Sequence, residues 1–172
     1  MIRSIIRPEQ PRDIEAIHRV NEIAFDRTNE ADLVDQLRGV PHTLSLVALV
    51  EGAIVGHIFF SPVTVAVTQA EDAPLLGLAP LAVLPEFQRR GLGSQLVRQG
   101  LTLCAPRDAK AVVVLGDPSY YGRFGFVPAQ DKGLTCEYTV PDGAFRVLEL
   151  QPGALAGYQG LVRYRPEFAV CE

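Results

Sequence analysis

The sequence lacks the cysteine and histidine spacing of a disulfide framework or a metal centre. Its three cysteines, Cys104, Cys136 and Cys171, lie far apart and form no C-x-x-C pair. The three histidines also have no metal-ligand spacing, so we expect surface or packing roles for them and no bound metal. Three free thiols are typical of a reducing compartment, and a cytoplasmic location is therefore expected.

Long hydrophobic runs and an excess of positive charge are also missing. The most apolar stretch, Leu44–Val67, is interrupted by Glu51, Gly52 and Pro62, and the N-terminus becomes charged too early for a secretory signal. No membrane association is expected. A net charge of −4 and a pI of about 5.4 argue against nucleic-acid binding, but local backbone amides can still bind an anionic cofactor.

The chain has enough apolar material for one well-buried core. Its 172 residues suit a single domain spanning 1–172, and 48% of them are hydrophobic. Short β-branched or apolar runs predict seven strands: Ile2–Ile6, Leu44–Val50, Ile54–Val67, Leu75–Leu84, Ala111–Leu115, Leu134–Val140 and Phe145–Leu150. Helical spacing predicts four helices: Ile14–Ala24, one capped by Asn29 that continues through Leu37, one from Gly91 to Pro106, and Ser119–Phe124. The fold class is therefore α/β or α+β with a mixed sheet.

The most informative stretch, Leu81–Ser94, runs from an apolar strand through a glycine-containing turn into a helix. Such a helix start presents unpaired N–H groups at the positive end of the helix dipole. Gly91 and Gly93 lack a Cβ, so a bulky anion can approach the backbone, and Arg89 and Arg90 add positive charge. These features favour a phosphate or pyrophosphate cradle, although two glycines before a helix also make an ordinary turn.

The segment Gln88–Gly93 matches the Q/R-x-x-G-x-G/A signature of the GCN5-related N-acetyltransferase (GNAT) family. The resemblance covers residues 2–128: an opening strand and helix, a hairpin, the strand Leu81–Pro85, and Tyr121–Phe126, which resembles the family's Y-x-x-x-G-F segment. The Leu115–Pro118 context with its tyrosine pair resembles the bacterial YhbS-like branch. The resemblance implies a mixed, mainly antiparallel sheet of six to seven strands flanked by about four helices.

The resemblance also implies acetyl-CoA as co-substrate and a role for each matching residue. Backbone amides of Arg89–Ser94 would hold the CoA pyrophosphate, and main chain of Leu81–Val83 would line the pantetheine arm and polarise the acetyl carbonyl. Asp117 stands where the family often has an asparagine that contacts pantetheine. The implied cofactor-binding residues are Leu81, Ala82, Val83, Gln88, Arg89, Arg90, Gly91, Leu92, Gly93, Ser94 and Asp117.

Tyr121 is the candidate catalytic residue. The tyrosine at this place in the family commonly protonates the departing thiolate, and a phenol near sulfur can do so as the C–S bond breaks. The alternative is a half-buried ring packed beside Phe124 and Phe126, which is what aromatic clusters usually do. Tyr120 misses the Y-x-x-x-G-F register by one residue.

One feature of many family members is absent, because the strand Leu75–Leu81 carries no acidic residue that could act as general base. Deprotonation of the acceptor must then use another group, a water chain, or a substrate of low pKa, and Asp117 and Glu30 are the candidate groups. Each also has a simpler explanation: Asp117 as the cap of the helix that follows, and Glu30 as a first-turn helix acid. Cys104 is expected to be a buried structural thiol, so the amine attacks the thioester directly.

Three other functions compete with direct acetyl transfer to an amine of a small molecule or a protein. The first is a non-catalytic acyl-CoA sensor with the same fold, which the missing strand acid keeps open. A Rossmann dinucleotide site lacks its third glycine, because Leu96 takes that place, and a Walker loop lacks its Gly-Lys-Ser/Thr. Homodimers are frequent among relatives of this family, so a homodimer is a further possibility.

Overall fold

The computed structural model of the protein describes residues 3–68, 75–107 and 109–172. These residues contain nine strands: β1 (Ile5–Pro8), β2 (Leu44–Val50), β3 (Ala53–Thr68), β4 (Leu75–Val83), β5 (Ala111–Leu115), β6 (Val127–Pro128), β7 (Leu134–Cys136), β8 (Phe145–Glu149) and β9 (Tyr158–Arg163). They also contain four α-helices: α1 (Ile14–Phe25), α2 (Asn29–Leu37), α3 (Leu92–Cys104) and α4 (Pro118–Gly122).

The predicted fold class is confirmed, because the sheet is mixed and mainly antiparallel. Strand β2 pairs with β1 and β3, and β8 pairs with β5 and β6, all antiparallel. Strand β9 runs antiparallel to β3. Two pairs are parallel, β4 with β5 and β7 with β9. The parallel pairing of β5 explains why its five residues, AVVVL, are almost wholly buried and apolar.

The chain divides into two compact units. The first contains residues 1–61, 79–100 and 166–172, and the second contains residues 62–78 and 101–165. A core cluster of the first unit joins apolar residues from α1, the strands and the start of α3: Val20, Val50, Val55, Ala82, Leu84 and Leu92. The single domain over 1–172 stays a prediction.

Several element boundaries differ from the sequence prediction. Strand β1 lies at Ile5–Pro8, later than the predicted Ile2–Ile6, and Ile2 is outside the described residues. Strand β7 stops at Cys136, short of Val140. Strands β6 and β9 were not predicted. Strand β9 contains a glycine and follows a glycine-rich stretch, so its pairing with β3 and β7 has no local signal.

The predicted cap of the second helix was wrong. Thr28 occupies the N-cap position of α2, and its side chain makes no capping hydrogen bond. Asn29 lies in the first turn, where its side-chain amide donates to the carbonyl of Val170 at 2.6 Å. The asparagine therefore ties the helix to the C-terminal 3-10 turn, Pro166–Cys171. The Asn29 side chain therefore binds a carbonyl that is distant in sequence and does not cap its own helix.

The apolar stretch Leu44–Val67 forms β2 and most of β3, which agrees with the predicted strand–turn–strand pattern. Among the helices of the described residues, none has the length and hydropathy of a membrane-spanning segment.

His57 on β3 is a fully buried histidine in a chain of polar side chains. Its Nδ1 lies 3.0 Å from the Asn21 amide nitrogen, and its Nε2 lies 2.9 Å from Ser45 Oγ. Ser45 donates to Glu9 at 2.6 Å, and Arg38 also pairs with Glu9. Because Asn21 donates to Nδ1, the proton of the neutral ring belongs on Nε2. Burial lowers the pKa of His57 to about 3.

Candidate functional site

The end of β4 is tied to the turn that follows it. The carbonyl of Val83 accepts a hydrogen bond from the Gln88 side-chain amide at 2.9 Å, and the N–H of Leu84 donates to Val55 at 2.9 Å. A single 3-10 turn, Pro85–Phe87, lies between them. The glutamine of the signature thus makes an intramolecular hydrogen bond to the end of β4. Its contact with a cofactor stays a prediction.

The backbone after this turn takes unusual angles at two of three consecutive residues. Arg89 has φ +63° and Gly91 has φ +86°, both in the left-handed region, and Arg90 between them does not. Left-handed backbone is common for glycine and uncommon for arginine, for which it costs of order 1–3 kcal/mol. A turn of this kind can direct successive N–H groups to one side and form an anion-binding concavity.

Gly91, directly before α3, has no side chain that could cap the first turn of the helix. Its first hydrogen bond of the helical type runs from Gln95 N to the carbonyl of Gly91 at 3.0 Å. The N–H groups of Leu92, Gly93 and Ser94 precede that bond, so the helix itself cannot satisfy them. Gly91 stands where Ser, Thr, Asp or Asn usually supplies a capping oxygen. These donors are therefore available to an external anion.

Positive charge stands beside these donors. Arg89 and Arg90 are both exposed, and neither has an ion pair with a carboxylate in the described part of the chain. The Arg90 guanidinium lies 5.9 Å from the centre of the Phe87 ring, which holds it over the turn. Two cations without an internal partner favour a negatively charged ligand.

Close packing fixes the position of α3. A Cβ at Gly56 of β3 would lie 3.2 Å from Leu96, and one at Gly100 would lie 2.5 Å from the ring of Phe60. Helix α3 and strand β3 therefore pack closely through a glycine on each element, Gly100 and Gly56. Ser4 also donates to the Gln95 side chain at 2.6 Å. The start of α3 is held rigidly, and this preorganises its N–H groups.

Tyr121 on α4 is packed among aromatic rings. Its ring centre lies 5.7 Å from Phe126 and 5.0 Å from Tyr120, both edge-on, and 6.4 Å from Phe124. Only 9% of the residue is exposed, and burial raises its pKa far above the ordinary value of 10. The hydroxyl makes no hydrogen bond within the described residues. The packing that the alternative predicted is present, and it leaves a protonated phenol whose donor is unused.

Asp117 caps α4. Its carboxylate accepts from the backbone N–H groups of Ser119 at 2.7 Å and Tyr120 at 3.3 Å. The capping explanation weighed for this residue is therefore confirmed, while its contact with pantetheine stays a prediction. Tyr120 is exposed enough to stack under the Arg123 guanidinium, 4.5 Å from its ring centre.

Glu30, the other candidate base, is buried and paired. Its carboxylate forms a two-pronged ion pair with Arg27, with Nε to Oε1 at 2.9 Å. The carboxylate of Glu30 is therefore already engaged by a side chain of the protein. Cys104 is fully buried, in agreement with the structural thiol that we expected.

One cluster of possible metal ligands occurs in the described residues. Ligand atoms of His18, Asp32 and Asp35 lie within 4.8 Å of one another on the surface of α1 and α2. Asp35 already pairs with His18 at 2.8 Å and with Arg38 at 2.8 Å. The expected absence of a metal stays a prediction.

The fold, with the turn and the start of α3, is that of an acetyltransferase domain of the GNAT class. The family model described as an acetyltransferase (GNAT) domain matches residues 5–129. The chain belongs to the GNAT family. It is 42% identical over 166 residues to an uncharacterized N-acetyltransferase, YhbS, of Escherichia coli K12, covering 95% of this chain and 98% of the relative. The predicted branch is thereby confirmed.

Two solved structures resemble the chain along nearly its whole length. YhbS from Escherichia coli in complex with CoA has a TM-score of 0.89 at 40% identity, covering 98% of this chain and 93% of that chain. A GNAT family acetyltransferase from Brucella melitensis in complex with acetyl-CoA has a TM-score of 0.77 at 36% identity, covering 98% and 99%.

The predicted site residues fall into two groups. Leu81–Ser94 lie in the first unit, where strand end, turn and helix start are continuous. Asp117 and Tyr121 lie in the second unit on α4. Sequence reasoning missed Gly116, where a Cβ would lie 2.4 Å from the Tyr121 ring. A glycine between a buried strand and an Asp-Pro helix start was the available signal.

Proposed function

We propose that the protein binds acetyl-CoA and transfers the acetyl group to an amine. The observation that carries this proposal is the uncapped start of α3, with left-handed backbone at Arg89 and Gly91 immediately before it. Main-chain N–H groups of Arg89–Ser94 would bind the pyrophosphate, with the two arginines adding charge. Two similar proteins have been solved with CoA or acetyl-CoA, which supports the choice of ligand.

In the proposed reaction the acceptor nitrogen attacks the thioester carbonyl carbon and the C–S bond breaks. Tyr121 donates its phenolic proton to the departing sulfur, the nitrogen releases one proton to water, and the Tyr121 phenolate takes a proton back from water. The products are an amide and CoA. Burial supports this role, because it disfavours the phenolate and so keeps Tyr121 in the protonated state that an acid requires. The main chain of Leu81, Ala82 and Val83 would lie beside the pantetheine arm.

The acceptor loses its ammonium proton without help from the two carboxylates that we considered. Glu30 is paired with Arg27, and Asp117 is occupied as a cap. The amine therefore reacts from its neutral fraction in solution, so kcat/KM should rise with pH towards the amine's own pKa. Direct attack is favoured over a cysteine intermediate, because Cys104 is fully buried.

The same observations favour one alternative, a non-catalytic acyl-CoA sensor. Strand β4, LLGLAPLAV, has no acidic side chain, and both candidate carboxylates already have partners. A sensor would bind acetyl-CoA tightly and release no CoA with any amine. Measurement of free thiol during incubation with acetyl-CoA and a panel of amines separates the two functions.

The proposal extends to the setting in which the protein acts. The acceptor is an amine of a small molecule or of a protein, and the active form is one domain of 172 residues, alone or as a homodimer, in the cytoplasm. A net charge of −4 disfavours nucleic acid as a partner. The unbroken apolar length that a membrane partner would favour is absent from the sequence.

Calorimetric titration with acetyl-CoA, with NAD as control, tests the cofactor. Saturable binding of acetyl-CoA without binding of NAD is the expected result, and it justifies the amine screen. A folded protein that binds neither would mean that the loop before α3 is only a turn, and the proposal would be wrong.

A further inference from the structure

Arg146 on β8 is an arginine without an acidic partner. One terminal nitrogen donates to the carbonyl of Gly143 at 3.0 Å, and the other donates to the carbonyl of Phe126 at 2.9 Å. Its Nε is fully buried and has no hydrogen-bond partner. No carboxylate of the described residues forms an ion pair with it. Burying part of a guanidinium in this way is costly, so its two backbone contacts need an explanation.

The first of these contacts leads to one side of the Tyr121 ring. Gly143 belongs to the turn Pro141–Ala144, which is closed by a 3.1 Å hydrogen bond from Ala144 N to the Pro141 carbonyl. The carbonyl of Ala144 accepts from Gly116 N at 3.0 Å. Gly116 lies against the Tyr121 ring so closely that a Cβ there would be 2.4 Å from it. Arg146 therefore anchors the turn that holds Gly116.

The second contact leads to the other neighbour of the ring. Arg146 binds the carbonyl of Phe126, and the Phe126 side chain packs edge-on against Tyr121 at 5.7 Å and 76°. Phe126 follows Gly125, whose φ of +96° makes the bend after α4. One planar guanidinium thus joins two segments that contact Tyr121. Lysine could not do the same, because it lacks the rigid fork that reaches two carbonyls.

We infer that Arg146 is a positioning residue, which holds the phenol of Tyr121 in place by fixing two segments that contact its ring, one at Gly116 and one at Phe126. The inference rests on the proposed acid role of Tyr121 for its effect on turnover. The bracing of the ring does not depend on that role.

The first test reads the position of the ring without any turnover. Fluorotyrosine is placed at position 121 only, and its fluorine NMR signal is compared in the parent protein, in Arg146→Met and in Arg163→Met. Arg163 is a matched control, because it is an arginine of the same unit on β9 with a side chain 59% exposed. We expect the signal to shift or broaden in Arg146→Met and to stay unchanged in Arg163→Met. An unchanged signal in Arg146→Met would overturn the inference.

The second test uses a double-mutant cycle with Tyr121→Phe. Arg146→Met should lower kcat by about tenfold to a hundredfold, the range expected when a catalytic group moves by about an ångström, and leave the KM for acetyl-CoA unchanged. If Arg146 acts through Tyr121, adding Arg146→Met to Tyr121→Phe should cost nothing more. Independent, multiplicative losses would contradict the inference.

A second variant guards against loss of folding. If Arg146→Met does not fold, Arg146→Lys keeps the charge and one of the two hydrogen bonds, and the same NMR comparison is made with it. The fluorine signal of Arg146→Lys should differ from that of Arg163→Met. If the two variants gave the same signal, the inference would be overturned. An NMR shift without any amine acetylation would support the bracing of Tyr121 and count against the proposed function.

Discussion

The two helices that carry candidate site residues begin in opposite ways. Helix α4 is capped by its own Asp117, whose carboxylate accepts from two backbone N–H groups. Helix α3 begins after Gly91, which has no side chain, and its first three N–H groups have no partner within the helix. A helix start satisfied by its own chain has little to offer an anion, and an unsatisfied one has much. The comparison supports the proposed anion binding at α3 and indicates a structural role for the start of α4.

The same contrast holds for the side chains around each helix start. Beside α3 the cations are exposed and have no internal carboxylate, whereas Tyr121 on α4 is buried among aromatic rings and faces a glycine too close for any side chain. The start of α3 leaves its backbone N–H donors without partners in the helix, whereas the residues around α4 hold the Tyr121 phenol in place. Each of the following substitutions tests one side of this difference.

The largest effect is expected from Tyr121→Phe. Removing the phenol should lower kcat by about 10²–10⁴, the usual range for a general acid, with little change in acetyl-CoA affinity. Steady-state kinetics with an accepted amine, together with calorimetry, measures both quantities. Tyr120→Phe is the matched control, because it removes the neighbouring hydroxyl. Unchanged turnover in Tyr121→Phe would remove this residue from the acid role.

A smaller effect is expected from Gly93→Val, which should weaken acetyl-CoA binding and not the chemical step. A branched side chain in the first turn of α3 would stop a pyrophosphate from reaching the N–H groups. Losing one hydrogen bond to a charged group costs about 1.5–3 kcal/mol, which corresponds to roughly a tenfold to hundredfold weaker Kd. Calorimetric titration of acetyl-CoA measures it, with Gln99→Val on the exposed side of α3 as control. A folded Gly93→Val protein of normal affinity would refute the cradle.

A several-fold effect that depends on salt is expected from replacing both Arg89 and Arg90 with glutamine. Exposed charges act through solvent, so their contribution should be about threefold to tenfold at low salt and fade near 1 M. Titration of acetyl-CoA at several salt concentrations measures the trend. Arg98→Gln, elsewhere on α3, removes one charge and is the matched control for each single variant, Arg89→Gln and Arg90→Gln. Equal losses in the three single variants would show that only net charge matters.

The smallest effect is expected at the capped helix. Asp117→Ala should lower the free energy of unfolding by about 1 kcal/mol, because two N–H groups of α4 lose their acceptor. Asp117→Asn retains a capping oxygen and should recover most of that loss. Denaturant unfolding of the two variants measures it. If Asp117→Asn instead weakens acetyl-CoA binding at unchanged stability, the carboxylate contacts the cofactor, and the contrast between the helices is less sharp than we describe.

Much of the fold followed from local signals, and the exceptions share one cause. Strands β2 and β5 have the predicted bounds, because their apolar runs end at clear turn residues. Strand β9 was missed because its pairing partners are distant in sequence. The turn before α3 could be predicted because strand, glycines and helix are consecutive. Arg146 could not, because its partners are two carbonyls that only the folded chain brings to it.

Glu30 and Asp117 show how far local signals reach for the two candidate bases. The cap role of Asp117 was predicted from the sequence and is confirmed, whereas the ion pair of Glu30 with Arg27 was not considered. Arg27 lies three residues from Glu30, so this ion pair had a local signal of helical spacing.

The buried His57 makes the fold itself a proton-linked equilibrium. Its ring is neutral when folded, with a pKa lowered to about 3, while in the unfolded chain it titrates near 6.5. Between these pKa values the unfolded state binds a proton and the folded state does not. The free energy of unfolding therefore falls as pH decreases, by at most about 1.4 kcal/mol per pH unit from this residue. Above pH 6.5 the linkage vanishes. The protein should therefore lose stability at low pH because the His57 imidazole takes up a proton on unfolding. The unfolding temperature of His57→Gln should depend less on pH between pH 3 and 6.5 than that of the parent protein.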